Sequence, residues 1–337
     1  MPSASTPARN TVAIPLADTV ATVRRVGFGT MASSGSYGPV SQNEARAVVQ
    51  AAIEAGGCLI DTADVYADGD SERLIGSLLS NSEGALVATK VGLVRDPTSP
   101  YGVDIVGRPE YLREAVQNAA RRLAVPHIDV VFLHRIDHRV PIEESVGCLS
   151  DMVAEGHVRG VGISEASVDS ILRAHATHPL SAVQSEYSLW SRDVDSSGAL
   201  NVLQELQVPF IASSPLGKGF LTGALKWPPS EGAKDSRQKL PRFAQESYLA
   251  NRSMLPTLRG VAERLDASMA QVALAWVAAK QPRTVAIPAT RRVERLLENL
   301  ASEQVQLDAA DVSLLDESFA TVRVAGERYA DMTFVNR

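Results

Sequence analysis

The sequence predicts an α/β protein built as one (β/α)8 TIM barrel, and three observations lead there. Short β-branched runs alternate with longer amphipathic stretches, which is the pattern of parallel strands joined by helical crossovers. No shift of composition divides the 337 residues, a length such barrels reach as one domain. Successive strand-like runs end in polar or reactive side chains, as they must if one rim of a barrel carries the chemistry. Periodicity does not by itself count closure, so a doubly wound open sheet is the competing architecture.

The elements follow in order. Strand-like runs lie at Val23–Thr30, Leu59–Thr62, Leu86–Lys90, Ile128–Leu133, Arg159–Ser164, Ala182–Ser185, Pro209–Ser213 and Thr284–Ile287. Between them Ser41 can cap a helix that runs to Glu54 and stops at Gly56. Pro109–Leu123 opens on proline and carries Leu112, Val116, Ala119 and Leu123 near helical spacing. Ile142–Ala154 and Ala199–Gln207 fit the same template, and Leu258–Leu265 with Met269–Ala279 bridges the last two strands. Residues 1–20 read as a tail with a loose, polar start over Met1–Asn10. Residues 21–320 form the barrel domain and 321–337 a C-terminal tail. Lys226–Arg242, rich in Pro, Gly and charge, reads as a long loop after the seventh strand.

A formal net charge of −6 disfavours nucleic acid or an anionic membrane as partner. The longest apolar run, Val272–Ala279, is far short of the ~18 residues of a membrane span and reads as a buried helix. Cys58 and Cys148 have no motif spacing, so a reducing cytoplasm is the expected compartment.

The strand-end residues are Asp61, Lys90, His134, Ser164, Gln184 and Ser213, none of which a barrel strand needs for packing. Asp61 opens Asp61-Thr62-Ala63-Asp64-Val65-Tyr66, enough chain to leave the strand and fold Tyr66 back over the barrel mouth. Free tyrosine titrates near ~10 and is a poor acid at neutral pH. An ammonium at Lys90 favours tyrosinate and lowers that value, Asp61 holds Lys90 charged, and His134 can hydrogen-bond a carbonyl oxygen. Such a set suits protonation of an oxygen that is becoming an alkoxide. A lone strand-end Asp or Lys is more often a structural ion pair; all four groups in order carry the functional reading.

These segments resemble the aldo-keto reductase superfamily, whose tetrad is Asp, Tyr, Lys and His. The resemblance runs from Gly27-Phe28-Gly29-Thr30-Met31 to Glu298-Asn299. His134-Arg135-Ile136-Asp137, Val140-Pro141-Ile142-Glu143-Glu144 and Gln184-Ser185-Glu186-Tyr187-Ser188-Leu189-Trp190 are similar to the subgroup that includes perakine reductase. The resemblance implies reduction of an aldehyde or ketone to an alcohol, with Tyr66 as general acid and hydride from carbon 4 of a nicotinamide.

After the last strand, Thr290 can cap the following helix, whose amino end attracts phosphate; Arg291 and Arg292 add charge suited to a 2′-phosphate. That favours NADPH/NADP+ over NADH. The alternative is a solvated basic helix start. By resemblance, Arg295 flanks the adenine, and Glu298 and Asn299 contact it. Ser164, Glu165 and Gln184 match positions that hold the nicotinamide carboxamide, and Ser213 with Pro215, Leu216, Gly217 and Lys218 passes along the pyrophosphate. Many members carry Asn in place of Glu165, a ring-stacking Tyr in place of Ser213, and Gly in place of Ala289. Candidate substrate walls are Tyr37, Trp190, Phe220 and the tail around Tyr329 and Phe334.

Three signals carry less. Gly27-Phe28-Gly29-Thr30-Met31-Ala32 fits a dinucleotide fingerprint, but no helix opens behind it. Gly162-Ile163-Ser164-Glu165-Ala166 lacks the last glycine of a hydrolase elbow. His134 and His138 share no helix face, and no metal site is expected. The implied partners are a small-molecule carbonyl substrate and, at most, further copies of the chain in a homo-oligomer. Two rivals keep the fold: a cofactor-sensing regulatory subunit with little turnover, and a lyase or aldolase with Lys90 in a Schiff base.

Overall fold

The structure is a computed structural model that describes residues 11–79, 85–99, 102–228 and 235–336; the expected loose start, Met1–Asn10, lies outside them. The described chain begins with an antiparallel hairpin, β1 (Thr11–Pro15) and β2 (Val20–Arg24), with Thr11 opposite Arg24. The barrel strands are β3 (Phe28–Gly29), β4 (Leu59–Asp61) and β5 (Leu86–Val91). A second hairpin of β6 (Leu93–Arg95) and β7 (Val103–Ile105) interrupts them. They resume with β8 (Val130–Leu133), β9 (Val161–Ser164), β10 (Ala182–Glu186), β11 (Phe210–Ser213) and β12 (Thr284–Ile287). All eight barrel strands pair in parallel, in the order β12-β11-β10-β9-β8-β5-β4-β3.

The barrel alternative, not the open sheet, is what forms. Parallel bridges Val26↔Ala286 and Gly29↔Ala289 join the first strand to the last. Gly27 N–H donates to the Ala286 carbonyl at 2.8 Å, and Ala286 N–H donates to the Arg25 carbonyl at 2.8 Å.

The expected strand Val23–Thr30 divides in two, and part of the expected tail joins the fold. Val23 and Arg24 end the hairpin, and only Phe28–Gly29 enter the barrel. The reason is packing. Val12, Ile14, Leu16 and Val23 join Leu59, Leu86, Ala88, Val130, Phe132, Ala182, Ile211, Val285 and Ile287 in one cluster inside the barrel. The hairpin therefore fills the end of the interior that the short first strand leaves open. Each such side chain contributes roughly 1.5–3 kcal/mol by leaving water. Opposite faces of the same strands pack outward: Val131, Leu133, Val161 and Ile163 belong to the larger cluster shared with the helices.

The helices are α1 (Gln42–Glu54), α2 (Asp70–Leu79), α3 (Pro109–Leu123), α4 (Ile142–Ala154), α5 (Val168–Thr177), α6 (Asp193–Ser196) and α7 (Ala199–Glu205). They continue with α8 (Gln245–Asn251), α9 (Leu255–Arg264), α10 (Met269–Lys280), α11 (Val293–Ala301) and α12 (Ala309–Thr321). Ser41 caps α1 in a full capping box with Glu44, as its position predicts. Val272–Val277 are the buried middle of α10, while Ala278 is half-buried and Ala279 exposed, and no helix among the described residues is long and apolar enough to cross a membrane. In the expected loop Lys226–Arg242, residues 229–234 lie outside the description, and short 3-10 turns occupy Ser236–Lys239 and Pro241–Phe243.

One glycine sets the interior layer. A Cβ at Gly162 would lie 2.3 Å from the Phe132 ring and 2.9 Å from the Ala182 carbonyl oxygen. Gly162→Ala is expected to cost about 1–3 kcal/mol by overpacking. Thermal melts of the variant check this; an unchanged midpoint would show that Phe132 yields freely.

Candidate active site

The catalytic candidates stand at the ends of neighbouring strands on one rim. Lys90, 1% exposed, donates to Asp61 Oδ1 at 2.5 Å and to the Thr62 carbonyl at 2.7 Å. The second Asp61 oxygen accepts from Gln184 Nε2 at 2.8 Å, so the carboxylate is held from two strands. The loop to Tyr66 is pinned by Asp64 N–H to the Lys90 carbonyl (3.1 Å) and Tyr66 N–H to the Ala63 carbonyl (3.1 Å). Beyond it Ala67 and Asp68 adopt left-handed φ of 48° and 54°, the bend that leads into α2 at Asp70. The Tyr66 ring then lies with its centroid 5.1 Å from Lys90 Nζ and 6.1 Å from the His134 ring, edge-on at 79°. The four groups converge as the spacing predicts.

The electrostatics correct one expectation. Lys90 does act to lower the tyrosine, but burial outweighs it: Tyr66 sits above the ordinary phenol value, with Asp61 adding to the rise and Arg135 opposing it. The phenol is thus firmly protonated at neutral pH and able to donate. Burial also works against the Lys90 ammonium, yet Asp61 and Tyr66 more than offset it and hold Lys90 above its usual value.

Burial, with the charges of Lys90 and Arg135, holds His134 well below the ordinary imidazole range. It is a neutral ring whose Nδ1 is buried with no hydrogen-bond partner among the described residues. The sign of its pH effect follows. A folded value depressed below the unfolded ~6.5 gives full stability above that pH. That stability is lost as pH falls toward the folded value, at up to about 1.4 kcal/mol per pH unit. His134→Phe should flatten the fall between pH 7.5 and 5 in thermal melts; an equal slope in both proteins would count against a neutral buried His134.

The cofactor candidates line the same rim. Ser164 (3% exposed) ends β9, while Pro215, Leu216 and Gly217 are buried after the half-buried Ser213. Positive φ angles at Ser214 (49°), Gly217 (57°), Lys218 (56°) and Gly219 (96°) curl this backbone. Within it Gly217 N–H donates to the Ser214 carbonyl at 2.9 Å and Gly219 N–H to the Leu216 carbonyl at 3.0 Å, so these two donors close the turn. The Lys218 charge is engaged, since Nζ pairs with Glu186 Oε2 at 2.5 Å. Glu165 is likewise engaged: its Oε1 accepts from Glu186 N–H at 2.7 Å and from Arg328 Nη2 at 2.7 Å.

Thr290 is not the cap that its type suggests. The helix α11 starts later, at Val293 with Arg292 as N-cap, and Thr290 Oγ1 accepts from Arg292 N–H at 3.2 Å. Arg291 and Arg292 are exposed beside this start, and Arg291 donates to the Pro39 carbonyl at 2.9 Å. Arg295 is exposed and pairs with Glu298 one turn on, and Asn299 is buried. The exposed arginine pair at the start of α11 fits a phosphorylated ligand.

Of the expected walls, Tyr37 faces Arg237 (4.8 Å to the ring centroid), and Tyr329 lies near Lys218 (5.9 Å). Trp190 and Phe220 instead bury in an aromatic cluster with Phe243 and Tyr248. The Phe334 side chain lies outside the description. Sequence reasoning missed Arg135, Glu186 and Arg328. Glu186 had a signal, since it lies two residues beyond Gln184 and so faces the same side of β10.

Comparison with known proteins agrees. Residues 25–320 match the model of the aldo/keto reductase family. A probable aldo-keto reductase of Glycine max is 36% identical over 312 residues, 91% of this chain and 88% of its own. An aldo-keto reductase of Schizosaccharomyces pombe whose name specifies NADP(+) is 33% identical, covering 91% of this chain and 92% of its own. A glycerol dehydrogenase from Gluconobacter oxydans superposes with a TM-score of 0.83 at 26% identity, covering 95% of this chain and 98% of its own. The family match and the named relatives place this (β/α)8 barrel among the oxidoreductases. The chain belongs to the aldo/keto reductase family.

Proposed function

We propose that this protein reversibly reduces an aldehyde or ketone to an alcohol with NADPH, Tyr66 acting as the general acid, and that it falls in the perakine reductase-like subgroup. The observation that carries the chemistry is the buried Asp61–Lys90 pair beneath the Tyr66 ring, with neutral His134 edge-on to it. When bound, NADPH supplies the hydride. Tyr66 donates its phenolic proton to the carbonyl oxygen as charge grows there. Lys90 stabilises the tyrosinate left behind, and Asp61 keeps Lys90 charged and aimed. His134, uncharged, orients the carbonyl by a hydrogen bond and so does not compete as the acid.

The preference for the phosphorylated dinucleotide is supported by the exposed Arg291 and Arg292 at the start of α11. Ser164, Glu165 and Gln184 would hold the carboxamide, the 213–218 segment the pyrophosphate, and Arg295, Glu298 and Asn299 the adenine. A cytoplasmic location and a small-molecule carbonyl partner belong to the same reading.

The test is a fluorescence titration with NADPH and with NADH, followed by nicotinamide absorbance with a panel of aldehydes and ketones. Tighter NADPH binding and carbonyl-dependent oxidation are expected. Binding without turnover on any carbonyl would favour the cofactor-sensing subunit instead.

A further inference from the structure

The C-terminal segment, expected from sequence to be a tail, is stitched into the cofactor side of the rim. Asn251 pairs its side chain with the backbone of Ala325 in both directions, at 3.0 and 2.8 Å. Asn336 N–H donates to the Glu165 carbonyl at 3.2 Å, and its side-chain oxygen accepts from Ser167 N–H at 2.6 Å. Between these anchors Arg328, 2% exposed, enters a cluster of acids. It donates to Glu165 Oε1 at 2.7 Å and lies 3.5 Å from Glu186 Oε2 and 3.4 Å from Asp193 Oδ2.

The charges in this cluster are unevenly shared. Glu186 has Lys218 at 2.5 Å as well as Arg328, with Arg242 at 3.9 Å. Glu165, by contrast, forms its ion pair with Arg328 at 2.7 Å. Glu165 also holds a left-handed φ of 54°, a conformation a non-glycine residue keeps only when its surroundings impose it. Its N–H donates at 2.8 Å to the carbonyl of Gln184, the residue that grips Asp61. Glu165 is therefore one strand from the tetrad and buried.

We infer that Arg328 is a positioning residue of the cofactor pocket: it fixes Glu165 and cancels its charge, and so sets how the pocket weighs oxidised against reduced nicotinamide. The inference rests on the nicotinamide reading proposed above. Its physical basis is that the oxidised ring carries a positive charge and the reduced ring does not. Without Arg328 the net charge beside Glu165 turns negative and draws the cationic ring in; without the Glu165 charge, with Glu186 and Asp193 still beside Arg328, it turns more positive and repels the ring. The same burial that makes the pair costly to break makes either unpaired charge act strongly on its neighbours.

The experiment measures the ratio of Kd for NADP+ to Kd for NADPH by fluorescence titration of the full chain. Arg328→Met should lower the ratio on the order of ten-fold, and Glu165→Gln should raise it by a similar factor. Arg328→Lys, which keeps the charge, should stay within about three-fold of the parent. The double variant should return toward the parent ratio, because it removes one charge of each sign. Opposite shifts are what a merely structural role cannot produce. If both single variants move the ratio the same way, or neither moves it beyond two-fold, the inference is wrong. Should Arg328→Met fail to fold, Glu165→Gln still decides, since an unchanged ratio there overturns the inference. A parent protein that binds neither nucleotide would overturn the underlying nicotinamide reading itself.

Discussion

Tyr66→Phe is expected to bind NADPH as the parent does and to lose about 10²–10⁴-fold in kcat, the usual worth of a positioned general acid. The substitution removes one oxygen from a ring whose position is set by the backbone, through Tyr66 N–H to Ala63 and Asp64 N–H to Lys90. The ring should therefore stay edge-on to His134, and the fold should be intact. The loss belongs in kcat because the phenol's proton matters only once charge appears on the substrate oxygen. Steady-state kinetics beside a cofactor titration separate the two effects. Turnover within a few-fold of the parent would remove Tyr66 from the role of acid.

Lys90→Met should be the most damaging change to stability. Lys90 and Asp61 side chains are 2% and 4% exposed, and the variant leaves the Asp61 carboxylate buried with Gln184 as its remaining side-chain partner. Breaking such a pair from one side costs about 3–5 kcal/mol. Asp61→Asn combined with Lys90→Met should recover most of that stability, since no uncompensated charge remains, while turnover stays lost. Denaturant unfolding of parent, single and double variants checks this. A double variant no more stable than the single one would show that the cost was packing and not charge. The pH dependence has a definite sign. Because the folded Lys90 value is raised, the stability it contributes is fully present at neutral pH and is lost as pH climbs through that value.

The barrel and tetrad were legible because the same residues had to satisfy two demands. A strand must be apolar along its length, and a reactive side chain must stand at its end, so Asp61, Lys90 and His134 interrupt runs that otherwise read as core. The hairpin is hidden because Gly27 alone marks the place where the chain leaves one sheet at Arg24 and enters the other at Phe28. Thr290 misled for a local reason: its hydroxyl does accept a backbone N–H, but in a turn that precedes the helix. Arg328 carried no signal, because its partners lie 163 and 142 positions away, at Glu165 and Glu186, and no periodicity links a tail to them. The pull of Lys90 on Tyr66 is legible from residue types, but the net rise is not, because burial needs the fold.

The interior plug bears on how quickly this molecule reaches its native state. Val12 and Ile14 share their cluster with Val285 and Ile287, and the seam Val26↔Ala286 joins the two ends of the barrel. Those contacts cannot form until nearly the whole length of chain between them has been gathered, which makes them entropically late. Until then an incomplete ring of strands keeps two open edges, with the hydrophobic faces of Val12, Ile14 and Val23 uncovered. Refolding is thus expected to be slow and to favour self-association at high concentration, for reasons unrelated to the chemistry at the opposite rim.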